Sequence, residues 1–402
     1  MTRQLTDFLD GWMAFTDRSE PPKMYHLWCA VSMIAACLQR KCYVEWGTIT
    51  FYPNMYVVLV GPSGKTRKGT AMGPALTLLE DLGIKLAAEA ITREALIREL
   101  KNANANDPSL DTGTMSFHSS LTVFAPELTV FLGYHNNQLL SDLTDWYDCR
   151  NKWTYRTKNV GTDEIIGVYV NILGATTPDL IRTTMPLDAI GGGLTSRMIF
   201  VYEQEKYKTE PAPFLTSAEL GLRDQLRADL ERIYMMSGRF KVAEEFMDLW
   251  APWYVEQDKN PPFNDPRFDG YMARRPNHVM KLSMIVNASR TDDMLLRKSD
   301  LEKAIDILVQ TEVNMLDTFS GVGKYSHADT LTQVMNEIGM RGDRGITMQE
   351  LQWMFRSDAN KHIMSEIVET LQASGYLDVI TKGGEQILRY KGEQNEDTDG
   401  DD

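Results

Sequence analysis

The chain has 402 residues, enough for two or three domains with sizeable cores, and its 43% apolar and 24% charged content are those of an ordinary soluble globular protein. A formal charge of −14 excludes a protein coated in basic surface, and four cysteines with no Cys-x-x-Cys pairing argue against a disulfide framework or a zinc site. The apolar stretch Met24–Leu38 contains His26 and Ser32 and is shorter than the ~20 residues a membrane span needs. With Asp7 and Asp10 interrupting the first apolar segment, no signal peptide is expected and the cytoplasm is the expected location.

In chain order, residues 1–54 read as a lead-in that covers one edge of a sheet. Leu5–Phe15 and Met24–Leu38 are predicted helices separated by Glu20-Pro21-Pro22, and Cys42–Trp46 pairs with Thr48–Tyr52 around Gly47. Residues 55–205 alternate strand and helix, the pattern of a three-layer α/β core. Tyr56–Val60 is a wholly apolar, β-branched run ended by Gly61-Pro62, the signature of a strand buried on both faces of a parallel sheet. A cationic glycine loop follows, then a predicted helix over Ala71–Asp81 with a first turn kinked at Gly73-Pro74.

Strand, glycine loop and helix make a phosphate-binding loop, in which backbone amides wrap phosphate oxygens and a lysine reaches the terminal phosphates. Gly61, Pro62, Ser63, Gly64, Lys65, Thr66, Arg67, Lys68, Gly69 and Thr70 compose it. Against Gly-x-x-x-x-Gly-Lys-Ser/Thr the loop either carries one extra residue and uses Lys68 with Thr70, or is shortened and uses Lys65 with Thr66. The longer version is favoured because it leaves more amides to wrap phosphate, and it makes Thr70 the magnesium ligand.

Hydrolysis also needs a carboxylate to orient water and a cation to stabilise the transferred phosphoryl group. Ser119–Phe124 is a predicted strand that ends in Ala125-Pro126-Glu127-Leu128, and a carboxylate just past the C-terminal end of a parallel strand faces the phosphate loop. Glu127 is therefore the candidate for positioning the attacking water, or else a cap on the next helix. Pro126 stands where an aspartate would hold magnesium through water, leaving Thr70 and bound waters to hold the metal, or else Asp142 or Asp145 to reach in. The strand Val168–Gly174 ends at Thr176, a candidate sensor of the γ-phosphate or an ordinary N-cap before Pro178. Arg197, after Gly191-Gly192-Gly193 and before the strand Met198–Tyr202, is placed to act in trans on a neighbour's nucleotide, or to make a surface salt bridge. Arg274 could supply a second cation to the nucleotide, ahead of a helix over Asn277–Ala288.

Between the Glu127 and Thr176 strands, Arg150, Lys152, Arg156 and Lys158 alternate with Trp153 and Tyr155. Cations mixed with stacking rings suit single-stranded nucleic acid, and the same spacing also fits a solvated hairpin with two aromatic anchors. Residues 206–320 read as a mainly helical lid region. Residues 328–391 read as three helices and a glycine-turned hairpin, resembling a winged helix that binds either DNA or protein. From Glu393 to Asp402 the tail holds six acids and no base, a disordered solubilising segment or a partner-docking one.

Taken together, Tyr56–Gly64 with Arg67-Lys68-Gly69-Thr70, Pro126-Glu127-Leu128, Ile172-Leu173-Gly174 with Thr177-Pro178-Asp179, and Gly193-Leu194-Thr195-Ser196-Arg197 resemble the helicase-like replication ATPases of phages and plasmids. The Ser-Arg pair is also similar to the arginine-finger motif of AAA+ replicative helicases. The resemblance covers about residues 50–205 and extends to Arg274-Arg275-Pro276. It implies an ATP- and Mg2+-dependent P-loop ATPase, a hexameric ring moving on single-stranded or forked DNA, with Arg150–Lys158 as the pore element. The alternative in another class is a helicase loader or origin-binding switch with slow hydrolysis, and a third is a non-catalytic scaffold.

Overall fold

The computed structural model describes residues 2–108, 113, 115–133, 136–157, 161–184, 192–319, 328–356, 359–382 and 385–391. The chain divides into two compact units, Met1–Ser320 and Gly321–Asp402, and both mix helices with strands. The lead-in, the strand-helix core and the helical region that the sequence separates all lie in the first unit.

That unit opens with helix α1 (Phe8–Phe15) and helix α2 (Lys23–Leu38). Helix α1 begins later than Leu5 because the Asp7 carboxylate caps it, accepting from the Leu9 amide at 2.8 Å. Strands β1 (Cys42–Trp46) and β2 (Ile49–Phe51) pair antiparallel. The lead-in does not merely cover a sheet edge. Helix α2 is apolar on nearly every side and thus buried.

The main sheet is built from β3 (Tyr56–Val60), β4 (Asn104–Pro108), β5 (Met115–Ala125), β8 (Val168–Thr176) and β9 (Met198–Tyr202) in the spatial order β4-β5-β8-β3-β9. β5, β8, β3 and β9 run parallel, and β4 runs antiparallel along one edge. Tyr169 and Asn171, two residues apart on β8 and so on one face, donate to the α2 carbonyls of Ala35 at 2.6 Å and Ser32 at 3.1 Å. Helix α2 is therefore a layer on the sheet's face. Between the strands lie α3 (Lys68–Asp81), α4 (Arg93–Asn102), α5 (Leu128–Leu132), α6 (Asn137–Tyr147), the hairpin β6 (Lys152–Thr157) and β7 (Gly161–Ile166), and α7 (Pro178–Thr184).

Two predicted helix starts move. Helix α3 begins at Lys68 and carries Pro74 in its second turn, where the missing amide leaves the Thr70 carbonyl without its helical donor. Beyond β9 come α8 (Ser217–Tyr234), β10 (Gly238–Arg239), β11 (Lys241–Val242), α9 (Glu244–Lys259), α10 (Asp269–Arg290), β12 (Leu295–Leu296) and α11 (Lys298–Met315). Helix α10 starts eight residues before Asn277 and runs through Pro276. Its Arg275 and Glu312 of α11 form a bidentate pair at 2.6 and 2.8 Å, each side chain under 5% exposed, with the Tyr271 hydroxyl donating to the same carboxylate.

The second unit contains α12 (Ala328–Arg341), β13 (Ile346–Thr347), α13 (Met348–Met354), α14 (Lys361–Ala373), β14 (Leu377–Lys382) and β15 (Glu385–Tyr390). The capping box of Thr347 and Glu350 opens α13, and Asn360 caps α14. The sheet order is β13-β15-β14, with β13 an addition that two residues cannot signal in a sequence. Val334, Ile338, Leu351, Met364, Ile367, Leu371 and Leu388 form its core. Gly383-Gly384 and the acidic tail lie outside the described residues.

Candidate functional site

Register fixes which residues share an edge of the sheet. Val60 of β3 is level with Thr176 of β8 and Tyr202 of β9, and Ala125 of β5 is level with Gly174 of β8. The loop after Val60, Glu127 two residues past Ala125, and Thr176 therefore lie together at the C-terminal ends of three parallel strands. Ligands bind at such ends in open α/β sheets.

Gly61 is set where no side chain fits. A Cβ there would stand 2.5 Å from the Glu203 carbonyl oxygen and 2.6 Å from the Tyr25 hydroxyl. Its amide points to the Thr176 carbonyl at 3.4 Å, and Tyr25 braces the strand end by donating to the Val60 carbonyl at 2.6 Å. Ser63, Gly64 and Lys65 are exposed at the loop tip, whereas Thr66 is fully buried behind it. Arg67 is the N-cap of α3 with φ of 55°, a left-handed conformation that a non-glycine residue adopts at some cost.

Lys68, the first residue of α3, turns back over the loop and donates to the carbonyl oxygens of Gly61 at 2.6 Å and Pro62 at 3.4 Å. Partial burial lowers its pKa from the ordinary lysine value, and the nearby Glu127 carboxylate opposes that shift. Of the two lysines weighed from the sequence, Lys68 faces Glu127 across the strand ends. Lys65 lies at the exposed tip, and Thr70 sits exposed in the first turn of α3 beside Gly69.

Glu127 is exposed, and its side chain does not cap α5. Gly174 lets the following segment approach β8, since a Cβ there would come within 2.9 Å of Leu128 Cδ1. Thr177, rather than Thr176, caps α7 by accepting from the Leu180 amide at 3.3 Å. Asp142 and Asp145 are not aimed at this edge. Asp142 accepts from Arg93 at 2.7 Å and Asp145 from Arg150 at 3.0 Å, so each carboxylate already serves a cation.

Arg197 and Arg274 are elsewhere. Arg197 immediately precedes Met198, which is level with Tyr56 at the start of β3, so it lies at the opposite edge of the sheet from Gly61. Four residue steps of strand put the two edges ~13 Å apart or more. The Arg197 guanidinium is buried, donates to the Gly193 carbonyl at 2.7 Å and pairs with Asp148 at 2.9 Å. Arg274 donates to Ser196 Oγ at 3.0 Å, and burial together with the Arg197 charge lowers its pKa. Beneath them Lys281 of α10 is buried against the Tyr147 ring, 3.9 Å from its centroid, and donates to Asn54. Burial pushes the Lys281 pKa down to about 8 and that of His278 to about 3.

The basic run takes the hairpin form, with its rings turned to the protein. Trp153 meets Trp146 edge-on at 5.4 Å, Tyr155 stacks on Trp153 at 6.2 Å, and Arg93 lies 4.8 Å over Tyr155. Arg150 pairs with Asp145, Lys152 with Glu164 at 2.8 Å, and Arg156 donates to Thr162. Lys158 lies outside the described residues.

The sequence reading missed Asp148, Lys281 and Glu20. An acid directly before the basic run, and one before the double proline, were the available signals. It also missed a Ser-His-Asp chain, with Ser120 Oγ 2.8 Å from His118 Nδ1 and His118 Nε2 2.9 Å from Asp107. Ser120 is 4% exposed in mid-strand, beyond the reach of a substrate, so this chain pins edge strand β4 to β5. Among the described residues no helix is long and apolar enough to cross a membrane, and no group of three or more His, Cys, Asp or Glu is placed to hold a metal ion. No protein-family model matches the chain, and no curated protein matches it.

Proposed function

We propose that the first unit is a P-loop ATPase core that works between subunits of a homo-oligomeric ring, as a DNA motor of phage or plasmid replication. The observation that carries this reading is the division of the machinery between two sheet edges. Lys68, Thr70, Glu127 and Thr176 gather at one edge, and Arg197 with Arg274 gathers at the other, too far away to serve the same nucleotide. A head-to-tail assembly joins the two halves.

The residues fit a nucleoside triphosphate with magnesium. The backbone of residues 63–67 offers amides beside a glycine whose close approach leaves room for nothing but hydrogen, and Lys68 waits on carbonyl oxygens that a phosphate would replace. Bound ATP and Mg2+ would supply the phosphoryl group and neutralise part of its charge, with Thr70 as the metal-side hydroxyl. Lys68 holds the terminal phosphates, Glu127 orients water, and Thr176 stands beside both at the next strand end. Arg197 has to leave Asp148 to reach a neighbour's phosphate, which makes its action conditional on the subunit interface. The second unit, by its order of helices and hairpin, is proposed to be a winged helix.

The packed rings of the hairpin, and the pairing of Arg150 and Lys152 with acids, favour the second reading, a loader or origin-binding switch with slow hydrolysis, because these groups are already engaged within the chain. ATP hydrolysis with and without single-stranded DNA separates the two. A motor shows DNA-stimulated turnover that Lys68→Ala and Glu127→Gln abolish and Lys65→Ala largely spares. ATP binding without such stimulation leaves the switch, and no nucleotide binding at all leaves the scaffold.

A further inference from the structure

Glu20 ties three separate segments together beside the phosphate loop. Its Oε2 pairs with Arg67 Nε at 3.2 Å, its Oε1 accepts from Lys206 Nζ at 2.8 Å and from the Glu210 amide at 3.2 Å, and its carbonyl accepts from the Tyr207 amide at 2.9 Å. The segment carrying Lys206, Tyr207 and Glu210 follows β9, whose end is stitched to β3 by the Glu203 amide donating to the Val60 carbonyl at 3.0 Å. Tyr207 is thereby held at the same sheet edge as Gly61, one side chain's reach from Arg67 at the head of α3.

Tyr207 is 53% exposed, although a hydrogen bond holds its backbone. Lys23 Nζ lies 4.7 Å from its centroid and Lys208 Nζ 5.9 Å. An exposed aromatic residue held by its backbone beside a phosphate loop, with exchangeable ammonium groups over its ring, is a platform for a π-system that carries phosphates. We infer that Tyr207 stacks on the base of the nucleotide whose phosphates occupy the Gly61–Lys68 loop, the base displacing the Lys23 ammonium that now lies over the ring, with Lys23 and Lys208 then contributing charge beside it. The inference rests on the phosphate-loop reading above and extends it from phosphates to base. Stacking acts through ring area, so the ligand class is a purine nucleoside triphosphate in preference to a pyrimidine one.

Titration calorimetry of the full chain with ATP, CTP and inorganic tripolyphosphate tests this, using wild type, Tyr207→Ala, Tyr207→Trp and Lys68→Ala. The expected result is that Tyr207→Ala weakens ATP about tenfold and leaves tripolyphosphate binding unchanged, as a stacking contact of ordinary strength requires. Tyr207→Trp keeps the ATP affinity, and wild type binds ATP more tightly than CTP. Wild-type ATP affinity in Tyr207→Ala, or an equal loss of ATP and tripolyphosphate, overturns the inference while the phosphate loop stands. If wild type binds neither ATP nor tripolyphosphate, or Lys68→Ala binds both normally, the phosphate-loop reading fails and takes the inference with it.

Discussion

Arg197 and Asp148 are joined at 2.9 Å at the sheet edge opposite the phosphate loop, with the arginine buried and the carboxylate half exposed. Asp148 also acts on Arg274 and on the Lys281 ammonium beneath them, so among the described residues one acid serves three cations.

An arginine that acts across an interface gives a specific result in mixtures. Lys68→Ala and Arg197→Ala subunits are each expected to lose at least about 1,000-fold in turnover on their own, the low end of what a phosphoryl-transfer arginine supplies. An equimolar mixture should regain a measurable fraction of wild-type activity, because some interfaces then pair an intact Lys68 with an intact Arg197. No recovery in mixed oligomers would place Arg197 outside the reaction.

Gly61→Ala probes the narrowest point of the site. The added methyl group meets a backbone carbonyl at 2.5 Å, and backbone cannot swing aside as a long side chain can. Destabilisation of about 1–3 kcal/mol in urea unfolding is expected, together with loss of nucleotide binding. Gly64→Ala is the informative contrast. Its φ of 72° brings backbone strain, but no atom lies within 4 Å of the new Cβ, so steric loss of the pocket is confined to Gly61.

What the sequence made legible follows from distance along the chain. Tyr56–Val60 is recognisable because a doubly buried strand must be apolar at every position, and all five of its residues are buried. Glu127 and Thr176 are recognisable as strand-end residues for the same reason. The start of α3 was hidden because Arg67 takes a left-handed conformation and Gly73-Pro74 reads as a break, although Pro74 costs the helix a single hydrogen bond. The Glu20–Arg67 and Asp148–Arg197 pairs join residues 47 and 49 positions apart, and no local periodicity encodes a contact of that range. The direction of the hairpin rings was equally hidden, since alternation reports two faces without saying which one packs.

The Arg275–Glu312 pair should behave as a buried ion pair does. Arg275→Met alone leaves a carboxylate without its partner and is expected to cost about 3–5 kcal/mol in urea unfolding. Replacing both residues, as Arg275→Met with Glu312→Leu, should recover most of that loss, because the desolvated charges are then both gone. A double variant as unstable as the single one would mean that the Tyr271 hydroxyl bond, and not the charges, holds α10 to α11.

Lys281 predicts a pH dependence. Its pKa is about 8 in the folded protein against the ordinary 10.5, so between those values the unfolded chain holds the proton and the folded one releases it. The unfolded state then binds more protons, and the contribution of this group to stability rises with pH across that window. Below pH 8 the folded state bears the full cost of a buried ammonium, eased by Asn54 and the Tyr147 ring. Wild type should therefore gain about 1 kcal/mol per pH unit relative to Lys281→Met between pH 8.5 and 9.5, compared by urea unfolding at each pH. Other lysines and tyrosines titrate in both proteins and cancel in the difference. Parallel stability profiles for the two proteins would show that Lys281 keeps an ordinary pKa, and that the cluster around Arg197 is more open to water than its burial indicates.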